Sequence, residues 1–293
     1  MLTPVLGLLG ALVYGSADFL GGLAAKRISA VRAAGLSALS GLVVLLVLLA
    51  VFGAHWSPSA VLWGALSGVA GAVALSLLYA SLAIGPMSIL SPLTAVVSAI
   101  VPLTWGVLHG ERFAPLGWVG LGLALVAVVL VGFIPERGAV RPRPRGLVMG
   151  VGAGAFIGVF LILLDQTPDD SGLAPLVLNR AVNATIMFAT VGVIWLASRR
   201  RRRLADATGA PRAAGWRPGL PLAIAGGAID ACANILLLVG LRIGNLSVMS
   251  VLTALYPAGT IILAAIVLKE RIAPVQWIGL VLALAATGML AAA

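Results

Sequence analysis

The sequence predicts an all-α integral membrane protein, with ten transmembrane helices arranged as two inverted five-helix repeats. Three observations lead there. First, 61% of the 293 residues are hydrophobic and only 10% charged, with a mean hydropathy of +1.14, more apolar surface than a soluble domain of this length could bury. Second, the apolar residues fall into ten runs of about 20 residues, the length that crosses a hydrocarbon core of about 30 Å. Third, the stretch from Leu82 to Ala127 recurs without a gap from Leu241 to Ala286, at a constant offset of 159 (Glu111 to Glu270). Paired residues include Gly85/Gly244, Ser88/Ser247, Ser91/Ser250, Thr94/Thr253, Glu111/Glu270, Pro115/Pro274, Trp118/Trp277 and Gly120/Gly279.

The spans are expected at about 3–25, 31–53, 60–84, 88–109, 115–134, 146–164, 174–197, 219–241, 245–268 and 275–292. The first has no basic segment before it and carries Pro4, Tyr14 and Asp18, so it reads as a retained helix rather than a cleaved signal peptide. The second ends in an uncharged turn, His55-Trp56-Ser57, and the third carries Gly64 and Gly68, small residues that permit close helix contact. The fourth follows the turn Gly85-Pro86 and holds Pro92 and Pro102, each of which frees a backbone carbonyl and allows a bend. The fifth opens near Trp118 and the tenth near Trp277; with Trp63 and Trp195 these read as interfacial anchors. In the sixth, Gly150, Gly154 and Gly158 form a ridge of small residues for packing. The seventh runs to the long connection Ser198–Pro218 with its run Arg199–Arg203, and the eighth holds Cys232, which has no partner for a disulfide or a thiolate metal site. The ninth follows the turn Gly244-Asn245 and includes Tyr256 and Pro257.

The units are thus residues 1–134, a linker at 135–145, and residues 146–293, neither half being expected to stand alone. Five spans per unit is odd, so the second unit enters the membrane upside down. Charge agrees: the turn after span 1 carries Lys26, Arg27 and Arg32, its counterpart after span 6 carries Asp165, Asp169 and Asp170, and the uncharged turn after span 2 corresponds to the arginine run after span 7. The connections after spans 1, 5, 7 and 9 hold 16 of the 19 Lys and Arg, which by the positive-inside rule makes that face cytoplasmic and both termini extracytoplasmic. The net charge of +10 therefore reads as a topology signal and not as a nucleic-acid footprint; an anionic-lipid site on Arg199–Arg203 is the alternative use of that run.

The segments Gly110-Glu111-Arg112-Phe113-Ala114-Pro115 and Lys269-Glu270-Arg271-Ile272-Ala273-Pro274, each followed by a Trp-started, Gly-rich span, carry a family resemblance. Together with the ten-span pattern they resemble the drug/metabolite transporter superfamily, in its ten-helix form built from two EamA domains. Tyr14-Gly15-Ser16-Ala17-Asp18-Phe19 is similar to the family's aromatic-Gly-Ser-Asn-Phe motif, extended by one residue and with Asp for Asn. The resemblance implies an inverted-repeat carrier of small metabolites or drugs working by alternating access, usually outward and usually ion-coupled. A carboxylate in the first span also resembles the four-helix multidrug relatives that exchange protons for cations there.

Seven residues are candidates for substrate binding or coupling: Tyr14, Asp18, Asn179, Asn183, Asp230, Asn234 and Tyr256. An ionised carboxylate at mid-membrane costs about 2.5–3.5 kcal/mol on insertion scales, so its presence calls for a reason. Asp18 shares a helix face with Tyr14 at i,i+4 and reads as a proton or cation coupling site, or else as a packing carboxylate or one at the cytoplasmic mouth. Asp230 and Asn234, also i,i+4, stand opposite Gly71 and Leu75 of the repeat and read as a substrate contact or an interhelical hydrogen bond. Asn179 and Asn183 share a face of span 7; Arg180 between them is expected to snorkel outward or pair with Asp169 or Asp170, and pointing inward it would bind an anionic group. Tyr256 reads as a ligand wall or a packing aromatic.

Enzyme chemistry lacks a framework, since both histidines, His55 and His109, lie at span ends and no metal or nucleotide motif is present; no cofactor is expected. The remaining alternatives to a carrier are a membrane scaffold, a receptor or a lipid-moving protein. The expected partners are a small-molecule substrate, protons or another coupling ion, and the bilayer, with the chain a monomer or homodimer. The excess of Arg over Lys suggests a GC-rich bacterial source and hence the plasma membrane.

Overall fold

A computed structural model of the chain describes residues 2–84, 87–132, 143–207 and 217–293. All of the regular structure in these residues is helical. Ten helices are long and apolar enough to cross a membrane, as the hydropathy pattern predicts. They are α1 (Leu2–Arg27), α2 (Ala30–Phe52), α3 (Pro58–Ile84), α4 (Met87–Leu108), α5 (Pro115–Gly132), α6 (Pro144–Asp165), α7 (Ala174–Ala207), α8 (Leu220–Ile243), the pair α9 (Leu246–Thr253) and α10 (Tyr256–Val267), and α11 (Pro274–Ala292). Lipid offers the backbone no hydrogen-bond partners, so each crossing segment satisfies its own as a helix. Pro58, Pro115, Pro144 and Pro274 each stand first in a helix, where the missing N–H has no intrahelical partner to lose.

The helices depart from the sequence reading in two of the later spans. The basic stretch Arg199–Arg203 is not a loop: α7 continues through it to Ala207, because Arg, Leu and Ala all favour helix once the apolar segment has nucleated it. The ninth span is broken rather than merely bent. Pro257 has no N–H for the carbonyl of Thr253, the fourth residue before it, and Thr253 is the last residue of α9. The residue at the corresponding place in α4 is Ser98, and α4 runs on uninterrupted, with Pro92 and Pro102 accommodated inside it. The Gly85-Pro86 turn and residues 135–142 of the expected linker lie outside the described residues, while Pro144 and Arg145 already belong to α6.

The main interfaces join one half to the other. α1 lies on α8 and on the α9/α10 pair, and α6 lies on α3 and α4; α2 lies on α8, and α7 on α3; α2 meets α7, and α5 meets α11. Exchanging the halves maps each of these contacts onto another or onto itself, as an inverted repeat requires.

Glycine makes the closest crossings. A Cβ at Gly15 would strike the carbonyl oxygen of Tyr256, and one at Gly259 the carbonyl of Leu12, so α1 and α10 touch backbone to backbone. Thr260 Oγ1 donates to Gly15 O across this contact at 3.0 Å. The other half repeats the device: a Cβ at Gly154 would lie 2.5 Å from Thr94 O, a Cβ at Gly158 2.7 Å from Val101 Cβ, and Thr94 Oγ1 donates to Gly150 O at 3.0 Å. Gly64 and Gly68 meet Pro175 and Asn179 of α7 in the same way.

Gly15→Ala should destabilise the protein by about 1–3 kcal/mol through forced separation of α1 and α10. Gly122→Ala, on a part of α5 where an added Cβ meets nothing within 4 Å, should be neutral. Thermal unfolding in detergent compares the two.

Candidate functional site

A cavity of about 210 Å³ lies between the halves, lined by α1, α3 and α4 of the first and α6, α7, α8, α9 and α10 of the second. At about 30 Å³ per water it has room for roughly seven waters or a small metabolite. All seven candidate residues line it, and so does Arg180.

Helix periodicity explains the convergence. Tyr14 and Asp18 are one turn apart on α1 and both reach the cavity, although Asp18 is exposed within it while the Tyr14 hydroxyl is buried with no partner among the described residues. Asp18 likewise has no hydrogen-bond or ion-pair partner among them. Asp230 and Asn234 are one turn apart on α8, and Asn234 Nδ2 donates to Asp230 O at 2.8 Å and to Oδ2 at 3.2 Å. Gly71 and Leu75, their counterparts in the repeat, also line the cavity. Asn179 is committed to packing: its Nδ2 donates to Ser67 Oγ at 2.9 Å, and Ser67 in turn donates to Gly64 O at 2.7 Å. Asn183 sits over Gly71, where an added Cβ would lie 3.3 Å from its Nδ2. Tyr256 begins α10 directly after the break, which sets its ring at the cavity wall.

Arg180 does not snorkel and does not pair with Asp169 or Asp170. It pairs with Asp230 of α8, the two side chains being 13% and 20% exposed. The place expected for it near the α6–α7 turn is filled by Arg242, which donates to Ser171 Oγ at 2.9 Å. The reason is depth: Arg180 is six residues into α7, and α7 lies against α2 and α3 there, so the nearest carboxylate across the bundle is Asp230. The sequence held one signal for this pair, two opposite charges each inside an apolar span, which in lipid are expected to find each other.

With Asp230 neutralising Arg180, the cavity keeps one carboxylate without a counter-charge, Asp18. Three buried polar atoms on its lining, Tyr14 OH, Arg180 Nε and Thr253 Oγ1, have no protein partner among the described residues. Buried donors of this kind are normally satisfied, so the wall is built to hold something polar.

One end of the cavity abuts a large buried cluster. Leu45, Leu161, Leu164, Leu176, Leu237 and Met249 belong to one buried cluster on the side of the membrane that carries the chain termini. Toward the opposite side, which carries the Lys26-Arg27 turn, the buried clusters among the described residues are smaller, Ala24, Ala33 and Ala223 in one and Ala34, Ala72 and Met187 in the other.

The sequence profile of the EamA-like transporter family matches residues 1–133 and 144–292, once on each half. The chain belongs to the EamA-like transporter family. This EamA-like protein is accordingly a multi-pass membrane transporter of the drug/metabolite type. One solved crystal structure superposes on it with a TM-score of 0.73 at 14% identity, covering 98% of this chain and 95% of that one, a likeness that shows the fold. No curated protein matches the sequence.

Removing one member of the Arg180/Asp230 pair strands a charge in the membrane interior. Asp230→Ala should cost about 3 kcal/mol of stability, whereas Arg180→Met with Asp230→Leu should recover most of it while abolishing transport. Unfolding in detergent and uptake into proteoliposomes measure the two effects separately.

Proposed function

We propose that this EamA-like protein is a secondary active exporter that carries small cationic or zwitterionic metabolites or drugs by alternating access, exchanging them for protons at Asp18. The observation that carries this reading is the charge pattern of the cavity. Asp18, Asp230 and Arg180 are its charged lining residues, and the last two answer each other. An ammonium group entering such a site meets an unpaired carboxylate, while the orphaned donors of Tyr14, Thr253 and Arg180 can receive a carbonyl or carboxylate on the same molecule. A purely anionic ligand would face Asp18 with no cation left over.

Asp18 can hold either a proton or the cationic substrate, but not both. A carboxylate shared in this way makes release of one depend on arrival of the other, which is the linkage that exchange requires. Substrate and coupling ion thus share one cavity. Under the positive-inside assignment the face with the large leucine-rich cluster is extracytoplasmic, which supports collection of substrate from the cytoplasm in this conformation.

The test is transport in proteoliposomes by wild type and Asp18→Asn, with amino acids, nucleobases and cationic drugs, across pH 6 to 8. Asp18→Asn should be slower by about tenfold or more, the loss of one charge-assisted contact of about 1.5 kcal/mol, and should no longer respond to a pH gradient. Wild-type rate with a wild-type pH profile would exclude the coupling role.

A further inference from the structure

The two halves differ in how their matching glutamates are used. At the end of α4 the Glu111 carboxylate crosses to the start of α9, where it accepts the Ser247 backbone N–H at 3.2 Å and the Ser247 hydroxyl. Ser247 is fully buried, and it is the second residue of α9, so the glutamate supplies the N-terminal cap that the helix does not supply for itself. Glu111 and Ser247 come from different halves, and the contact ties them on the termini face.

The offset of 159 maps Glu111 onto Glu270 and Ser247 onto Ser88, at the end of α10 and the start of α4 on the opposite face. Glu270 is exposed. The helices diverge accordingly: α4 packs along α9, whereas α10 packs on α1 and α5. The backbone is nonetheless set alike at both glutamates, since the residue before each has a positive φ, 101° at Gly110 and 57° at Lys269. The turn is therefore already in place at Glu270.

Space at the two sites is not equal. An added Cβ at Gly106 would collide with the Glu111 carboxylate and lie 2.6 Å from Ser247 Oγ, so the contact depends on a glycine there. The repeat-related position is Ala265, which carries the methyl group that Gly106 lacks.

We infer that Glu111 on the start of α9 and Glu270 on the start of α4 are two latches, one on each face of the membrane, made alternately as the carrier opens to one side and then the other, with the Gly106/Ala265 difference favouring closure of the termini face at rest. Each latch holds its face shut by capping the helix that starts there with a carboxylate from the other half. The inference rests on the alternating-access reading, so its test reads conformation directly. In a Cys232→Ala background, a reporter cysteine replaces Leu78 on the cavity wall, and a membrane-impermeant thiol reagent is applied from each side of oriented vesicles.

Glu111→Ala should raise labelling from the termini face several-fold and lower it from the basic face, and Glu270→Ala should do the reverse. Glu270 is exposed in the closed-termini state, so a role confined to stabilising that state predicts no change for Glu270→Ala. Ala265→Gly, which removes a methyl and breaks no contact of the termini-face latch, should shift labelling in the direction of Glu111→Ala. A reporter reached from both faces in the parent but unmoved, or moved the same way, by the two glutamate variants overturns the latches and leaves the carrier reading standing. A reporter reached from only one face in every variant overturns both.

Discussion

Helices in lipid have no hydrophobic reason to associate, and this molecule's architecture depends on how it replaces that force. Burial of a leucine against a leucine gains little when the alternative is a lipid tail, so association falls to close packing and to polar contacts. Gly15 against Tyr256 and Gly259 against Leu12 bring α1 and α10 into backbone contact, and Gly154 and Gly158 bring α6 onto α4. At both crossings a threonine hydroxyl bonds a glycine carbonyl on the other helix, Thr260 to Gly15 and Thr94 to Gly150. Because these crossings join helices of opposite halves, each half completes the other.

That arrangement also explains why a cavity exists where it does. Tight glycine contacts fix the crossings of α1 with α10 and α4 with α6, and the space enclosed between those two crossings is lined by larger polar residues that cannot approach as closely. The break between Thr253 and Tyr256 falls on its wall, where one helix ends and the next begins inside the membrane. Freed backbone groups at such a break are tolerated in lipid only where they are buried in protein or line a cavity. The break, the cavity and the unpartnered Thr253 hydroxyl are one feature seen three ways.

Much of this was readable in the sequence. Ten runs of apolar residues gave ten spans, and the repeat gave their pairing, because length and periodicity are local properties that lipid enforces strictly. The candidate residues were found by a simple rule as well, that a charge or amide inside an apolar span must have a reason to be there. The rule shows that Asp18 and Asp230 are special without telling which of them has a counter-ion. Arg180 was misplaced because its distance along α7 suggested the interface, and only the packing of α7 against α2 and α3 directs it inward. Glu111 stands out as part of a repeated motif, yet its partner Ser247 lies 136 residues away, and a separation of that size leaves no local signal. The extension of α7 through Arg199–Arg203 was missed for a different reason: charge ends a membrane span but does not end a helix.

The uneven preservation of the repeat has a physical logic. Spans 4, 5, 9 and 10 match closely between the halves, whereas Asp230 and Asn234 face Gly71 and Leu75. A carrier must keep its two end states within a few kcal/mol of each other, or one of them is never visited. Elements that make and break contacts at the two faces meet that requirement most simply by offering the same chemistry on each, as the proposed latches of Glu111 on α9 and Glu270 on α4 would. Under the proposed mechanism the cavity obeys no such condition, since one asymmetric molecule would occupy it in both states and its binding groups need be present only once. In the same mechanism the paired chemistry belongs to the two faces and the Asp230/Asn234 pair, present once, to the ligand, while Thr253, matched by Thr94, reaches the cavity from the repeated part. The difference at the proposed latch, glycine at 106 against alanine at 265, is one methyl group, small enough to tilt the balance between states without forbidding either.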